Sequence, residues 1–216
     1  MTNTHNTYRT VTLTIVAVAF LSGCAAQELN PAMHGTRTVP ITPTTISDEA
    51  AGFLDQIGSL SPTSAMPSPD QVEAWETIQA LTIAGTEERT KSTLERFDTE
   101  ITVDSLGGIP VLDHRPRHWT DNGKLVVYTH GGGYTLYDAR SSLASSAAIA
   151  DATGLRVISI DYTPAPQSRW QNTLEQVVLV FKALLAEGYS MDDIVLYGDS
   201  AGGALAAGSV LKMRDE

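Results

Sequence analysis

The sequence predicts an α/β protein with a mostly parallel sheet flanked by helices. Three short apolar runs, residues 125–128, 157–160 and 194–197, alternate with two helical stretches. Runs this short and this uniformly apolar suit strands buried on both faces of a parallel sheet. The helical stretches are residues 141–153 and 173–187, followed by Gly154 and Gly188, the residue type that most readily ends a helix. In the second, Leu174, Val177, Val178, Phe181, Leu184 and Leu185 recur at three- and four-residue steps, which predicts one buried face. Strand, helix, strand, helix, strand is the pattern of right-handed crossovers in a helix-covered sheet.

The rest of the chain is read around this part. With 216 residues and 42% hydrophobic content, one globular domain with tails is expected. A net charge of −11, from 14 basic and 25 acidic residues with no basic cluster, repels a phosphate backbone and argues against a nucleic-acid partner. The first ten residues carry Arg9 and no acid, and they lead into the apolar run 11–21. That run has the length of a signal-peptide core and is short for a bilayer span. It ends in Leu21, Ser22, Gly23 and Cys24, which resembles the lipobox of bacterial lipoproteins. The resemblance implies cleavage after residue 23, lipidation of Cys24 and a membrane-anchored lipoprotein of the cell envelope. A plain secretory signal cleaved after Ala26 is the alternative. Cys24 is the only cysteine, so no intrachain disulfide forms.

Residues 24–46 are Thr- and Pro-rich and read as a tether, and residues 47–98 as a helical region. A short helix with Phe53, Leu54 and Ile57 is expected at 47–58. Ser68 as N-cap, Pro69 and Gln71 as capping-box partner predict a second helix running to Ala84, and residues 86–97 a third. Trp75, Ile78 and Leu81 share a face and read as ordinary packing. Residues 101–103 and 109–112 around Gly107 and Gly108 predict a hairpin. Residues 99–216 form the domain that carries the chemistry.

Its strongest motif is Gly198, Asp199, Ser200, Ala201, Gly202, between the strand 194–197 and a small-residue helix at 203–212. A serine presented on a tight strand-to-helix bend needs small residues two before and two after it, because the chain passes close to its neighbours. A phosphate-cradling turn is the bland alternative, but no Gly-Lys-Ser/Thr is present. The second motif is His130, Gly131, Gly132, Gly133, Tyr134, after the strand 125–128. Glycines let backbone N–H groups approach a developing oxyanion, although a loop that merely needs positive φ would also use them. The third is Asp161, Tyr162, Thr163, Pro164, Ala165, Pro166, after the strand 157–160.

Together these residues resemble the hormone-sensitive-lipase branch of the α/β-hydrolase fold, a family of carboxylesterases that includes lactone hydrolases. The resemblance covers residues 101–216, with the helices before it similar to the family's N-terminal cap. It implies Ser200 as nucleophile and the N–H groups of Gly132, Gly133 and Ala201 as the oxyanion hole, with Gly131 beside them. It also implies that His130 braces the loop and that Asp199 and Tyr134 support the site. The family's third motif usually reads D-Y-R-L-A-P-E. Thr163, Pro164 and Gln167 stand here for its Arg, Leu and Glu, so any ion pair between those two is absent.

A serine needs a base, normally a histidine oriented by a carboxylate, and in this fold both follow the serine in the chain. None of the five histidines follows Ser200. His5 falls in the signal and His34 in the tether, while His114 and His118 read as exposed loop residues. The triad acid and histidine are therefore expected outside residues 1–216. The chain as given is expected to be an incomplete hydrolase fold, inactive alone, with an apolar sheet edge left open at 194–197. The reading is a serine hydrolase of carboxylic esters or lactones, using no cofactor and no metal, with a small-molecule substrate. A non-catalytic envelope lipoprotein and a peptidase of the same fold are the competing readings.

Overall fold

The structure is a computed structural model that describes residues 45–59 and 66–216. Met1 to Thr44, which include His5, Cys24 and His34, lie outside the described residues. These described parts fall in two compact units divided at Ser64 and Ala65. The first contributes α1 (Asp48–Ser59), where the Ser47 hydroxyl accepts from the Ala50 N–H and Asp48 and Glu49 occupy the first turn. Acids there complement the helix dipole. Phe53 and Leu54 are exposed.

The second unit runs α2 (Val72–Ala84), α3 (Glu87–Arg96), β1 (Thr99–Leu106), β2 (Ile109–Pro116), β3 (Leu125–Thr129), α4 (Leu143–Thr153), β4 (Arg156–Ile160), α5 (Trp170–Ala186), β5 (Ile194–Gly198) and α6 (Ala201–Asp215). α2 begins after Gln71 rather than at Pro69. Gln71 does accept the Ser68 N–H as a capping box requires, but the Ser68 hydroxyl donates to Asp70 and a turn precedes the helix. Leu81 departs from the predicted packed face and is 68% exposed, while the buried residues of α2 are Trp75 and Gln79.

The five strands form one sheet in the order β1-β2-β4-β3-β5. β4, β3 and β5 are parallel and β2 joins β4 antiparallel, so the sheet is mixed, with β2 the one described strand that runs against the other four. β3 and β4 are buried throughout, as uniformly apolar runs require. Alternation then sorts side chains by face. Leu125, Val127, Ile158 and Ile160 pack with Val177, Phe181 and Leu184 of α5 and Leu205 of α6, whereas Val126, Tyr128 and Val157 pack with Ala150 of α4. β5 does not fit the doubly buried prediction: it lies at the edge of the described sheet, with Val195 58% and Tyr197 40% exposed. Leu185, expected on the buried face of α5, is also exposed.

One consequence of the strand order places the site. β3 is central, paired in register with Ile160 on one side and Gly198 on the other through Thr129. The segments leaving the carboxyl ends of β4, β3 and β5 therefore lie side by side, the location where open α/β sheets bind ligands. Those segments are the three sequence motifs.

Candidate active site

Ser200 sits between β5 and α6 with φ 51° and ψ −123°, a conformation uncommon for a side-chain-bearing residue. Holding it costs about 1–3 kcal/mol, which persists only where the surroundings enforce it. Here they do. A β-carbon on Gly198 would collide with the Gly202 carbonyl and lie 2.5 Å from Thr129 Oγ1, and one on Gly202 would collide with the Thr129 carbonyl. The Thr129 hydroxyl donates to the Gly202 carbonyl at 2.9 Å, tying the end of β3 to the first turn of α6. The small residues flanking the serine are thus required by close backbone approach, as the motif predicted. Ser200 itself is exposed.

Three successive peptide units of the loop after β3 have their carbonyls held. The His130 carbonyl accepts from the Tyr162 hydroxyl at 2.7 Å. The Gly131 carbonyl is 2.7 Å from His130 Nδ1. The Gly132 carbonyl accepts from the N–H of Thr135 at 3.1 Å and of Leu136 at 2.9 Å. In a trans peptide the C=O and the following N–H point in opposite directions. Fixing these carbonyls therefore fixes the N–H groups of Gly131, Gly132 and Gly133, turned away from those partners. Among the described residues, the N–H groups of Gly132, Gly133 and Ala201 make no hydrogen bond, and a helix's first N–H groups have no partner inside it. The loop meets the serine directly: a β-carbon on Gly131 would lie 3.2 Å from Ser200 Cβ.

His130 is fully buried, its ring stacked on Tyr162 at 4.1 Å and 7°. Because a carbonyl only accepts, Nδ1 carries the hydrogen, and burial holds the ring's pKa below its usual value. This is a neutral ring that grips its own loop. Burial also raises the pKa of the Tyr162 hydroxyl, which keeps it protonated as a donor, and that of Asp161, whose carboxylate accepts the Ala139 N–H at 2.9 Å. Asp199 accepts from the Tyr128 hydroxyl at 2.5 Å and lines a cavity of about 230 Å³ with Arg89, Tyr128, Gly131, Gly132 and Tyr137. Tyr134 lines a separate, mainly apolar hollow of about 460 Å³ with Ala165, Arg169, Trp170 and Thr173.

Around Thr163 and Gln167 of the third motif, neutral amides make the contacts. The Thr163 N–H donates to Gln176 Oε1 at 2.9 Å, and Gln176 Nε2 returns a bond to the Thr163 hydroxyl at 3.0 Å. Gln167 Nε2 donates to Gln79 Oε1 at 2.8 Å. Neither Gln79 nor Gln176 stood out in the sequence. For Gln79 a signal existed, a glutamine four residues after Trp75 and so on the same side of α2.

His114 corrects the exposed-loop expectation: it lies inside β2, opposite Val157, fully buried, with neither ring nitrogen hydrogen-bonded. His118 is exposed. No histidine among the described residues bonds Ser200. Among the same residues no group of three His, Cys, Asp or Glu could hold a metal ion, and no helix is long and apolar enough to cross a membrane.

Strand order, the bend at Ser200 and the glycine loop against it form an α/β-hydrolase fold, and residues 126–216 match the family described as alpha/beta hydrolase fold. The chain resembles the hormone-sensitive-lipase-like carboxylesterases in sequence and structure alike. It is 37% identical over 111 residues to LipR, an acetyl-hydrolase-type protein of Mycobacterium tuberculosis, covering 51% of this chain and 36% of that one. It is 31% identical over 113 residues to an acetyl-hydrolase of Streptomyces hygroscopicus, covering 50% and 38%. A hormone-sensitive lipase from a metagenome library superposes with a TM-score of 0.63 at 25% identity, over 80% of this chain and 54% of that one. The chain thus spans somewhat over a third of the length of these two curated relatives.

Proposed function

We propose that the protein of which these residues are part hydrolyses carboxylic esters, with Ser200 as nucleophile. The observation that carries the reading is the contact of Gly131 with Ser200, beside three peptide units whose carbonyls are all held elsewhere. The Ser200 Oγ attacks the ester carbonyl, and its proton passes to a base. The carbonyl oxygen becomes an oxyanion that accepts from the N–H groups of Gly132, Gly133 and Ala201. Donors fixed beforehand cost no reorganisation when charge develops. The C–O bond to the alcohol then breaks, the alcohol takes the proton, and water releases the acid from the acyl-serine by the reverse path.

The base and its orienting acid are proposed to come from outside residues 1–216. His130 is buried and occupied in its own loop, and His114 is enclosed within the sheet. Short acyl groups are the favoured substrates, on the support of relatives named acetyl-hydrolases. Turnover of p-nitrophenyl acetate by the whole protein and its loss in Ser200→Ala test the reading. Undiminished turnover in that variant would defeat it.

Cys24 is proposed as a lipidation site that anchors the mature protein in a bacterial envelope, supported by the apolar run and the Leu-Ser-Gly-Cys sequence. Radiolabelled fatty acid should enter the full-length protein and not a Cys24→Ala form; equal labelling of both would remove the assignment.

A further inference from the structure

We propose that Gln79, on α2, is a positioning residue that sets the geometry of the oxyanion segment from outside the sheet. Its Nε2 donates to the Thr135 carbonyl at 2.9 Å and the Ala165 carbonyl at 3.1 Å, and lies 3.2 Å from Gln167 Oε1. Its own Oε1 accepts from Gln167 Nε2 at 2.8 Å. Two backbone carbonyls facing Nε2 fix which end of the amide points where, because neither carbonyl can donate. The residue is 9% exposed, so these bonds are shielded from water.

The loop it grips does not hold its shape unaided. Gly132 and Gly133 have φ of 115° and 62°, and Tyr134 and Tyr137 have φ of 63° and 66° despite their side chains. Such a backbone survives only where contacts enforce it. Thr135 is the key link. Its N–H, with that of Leu136, holds the Gly132 carbonyl and so aims the Gly133 N–H, while its carbonyl is held by Gln79. On the other side, the Ala165 N–H donates to the Tyr134 carbonyl at 2.7 Å, and Gln79 binds the Ala165 carbonyl. One amide therefore joins α2, the glycine loop and the segment after β4, through partners 56, 86 and 88 residues away. Every partner is neutral, so the latch is insensitive to salt and to pH across the physiological range.

The kinetic part of this inference rests on the esterase reading, and the structural part does not. The test compares Gln79→Met, which keeps the length and removes the amide, and Gln79→Glu, in the whole protein. Amide hydrogen exchange at Thr135 and Leu136 should accelerate about tenfold in Gln79→Met while β3 and β4 are unchanged, and kcat for p-nitrophenyl acetate should fall about tenfold with KM within about twofold. Gln79→Glu, whose carboxylate has no hydrogen to donate to the two carbonyls, should match Gln79→Met at pH 8 in exchange and in kcat. If Gln79→Met does not fold, Gln167→Ala should still raise exchange at the same two amides, by about threefold, because it frees only one end of the latch. Unchanged exchange at 135 and 136 would overturn the proposal. So would exchange raised evenly across the sheet with kcat and KM shifting together. If the unsubstituted protein hydrolyses no ester, the esterase reading has failed, and local exchange alone decides whether Gln79 holds the loop.

Discussion

Gly131 lies against Ser200 so closely that an added β-carbon would sit 3.2 Å from Ser200 Cβ and 2.5 Å from an Asp199 carboxylate oxygen. No side chain fits between the loop after β3 and the bend after β5. Gly131→Ala should therefore push the two apart, lowering kcat by about a hundredfold through displaced donors and stability by about 1–3 kcal/mol through overpacking. Steady-state kinetics with urea denaturation of the same preparation checks both. Wild-type kcat in Gly131→Ala would mean the contact is not part of the site.

Tyr162 joins the ends of β4 and β3 by stacking on His130 and donating to its carbonyl. Tyr162→Phe keeps the stack and removes the donor. A buried carbonyl left unsatisfied costs about 1–3 kcal/mol, so the variant should unfold at lower denaturant. It should also lose about tenfold in kcat with little change in KM, because the Gly131 peptide is no longer fixed.

His114 makes stability depend on pH. Burial lowers its pKa from 6.5 to about 4, against a smaller upward pull from the Asp113 charge. The folded form therefore holds fewer protons than the unfolded chain between these values, and stability is lost as pH falls from about 6.5 to about 4, by about 3 kcal/mol in all. Carboxylates titrate in the lower part of this window too, so the readout is a difference between proteins. His114→Leu should lose markedly less stability than the unsubstituted protein between pH 7 and pH 4, measured by urea midpoints; parallel curves would contradict this.

Asp113 ties β2 to β4 away from the chemistry. Its carboxylate pairs with Arg156 through Nε and Nη2, both at 3.1 Å, and with Arg115 at 2.8 Å, with Asp113 1% and Arg156 8% exposed. Removing one partner of a buried pair strands the other, so Asp113→Ala should cost about 3–5 kcal/mol. Turnover per folded molecule should be unchanged, and Asp113→Leu with Arg156→Met should regain much of the stability.

How much of this was legible in sequence follows from the range of each interaction. The elbow around Ser200, the glycine loop and the strands are local patterns, written in spacing and in small residues. The order β4-β3-β5 is not local. Nothing in the run 125–128 says that it lies between the two later strands, yet that order brings Tyr162 to His130 and Ser200 to Gly131. Gln79 was missed for the same reason, since an amide's partner 88 residues away leaves no periodic trace. Exposure misled where apolar character was equated with burial. Leu81, Leu185 and Val195 are as apolar as their buried neighbours, and only packing distinguishes them. His114 misled in reverse, a polar residue sealed inside a strand.

The most direct measurement is mass spectrometry of the whole protein after reaction with a p-nitrophenyl alkylphosphonate, which leaves a stable adduct on an activated serine. One adduct per molecule, mapped to the peptide containing Ser200 and lost in Ser200→Ala along with ester turnover, is the predicted result. An adduct on another residue, with turnover intact in Ser200→Ala, would contradict it.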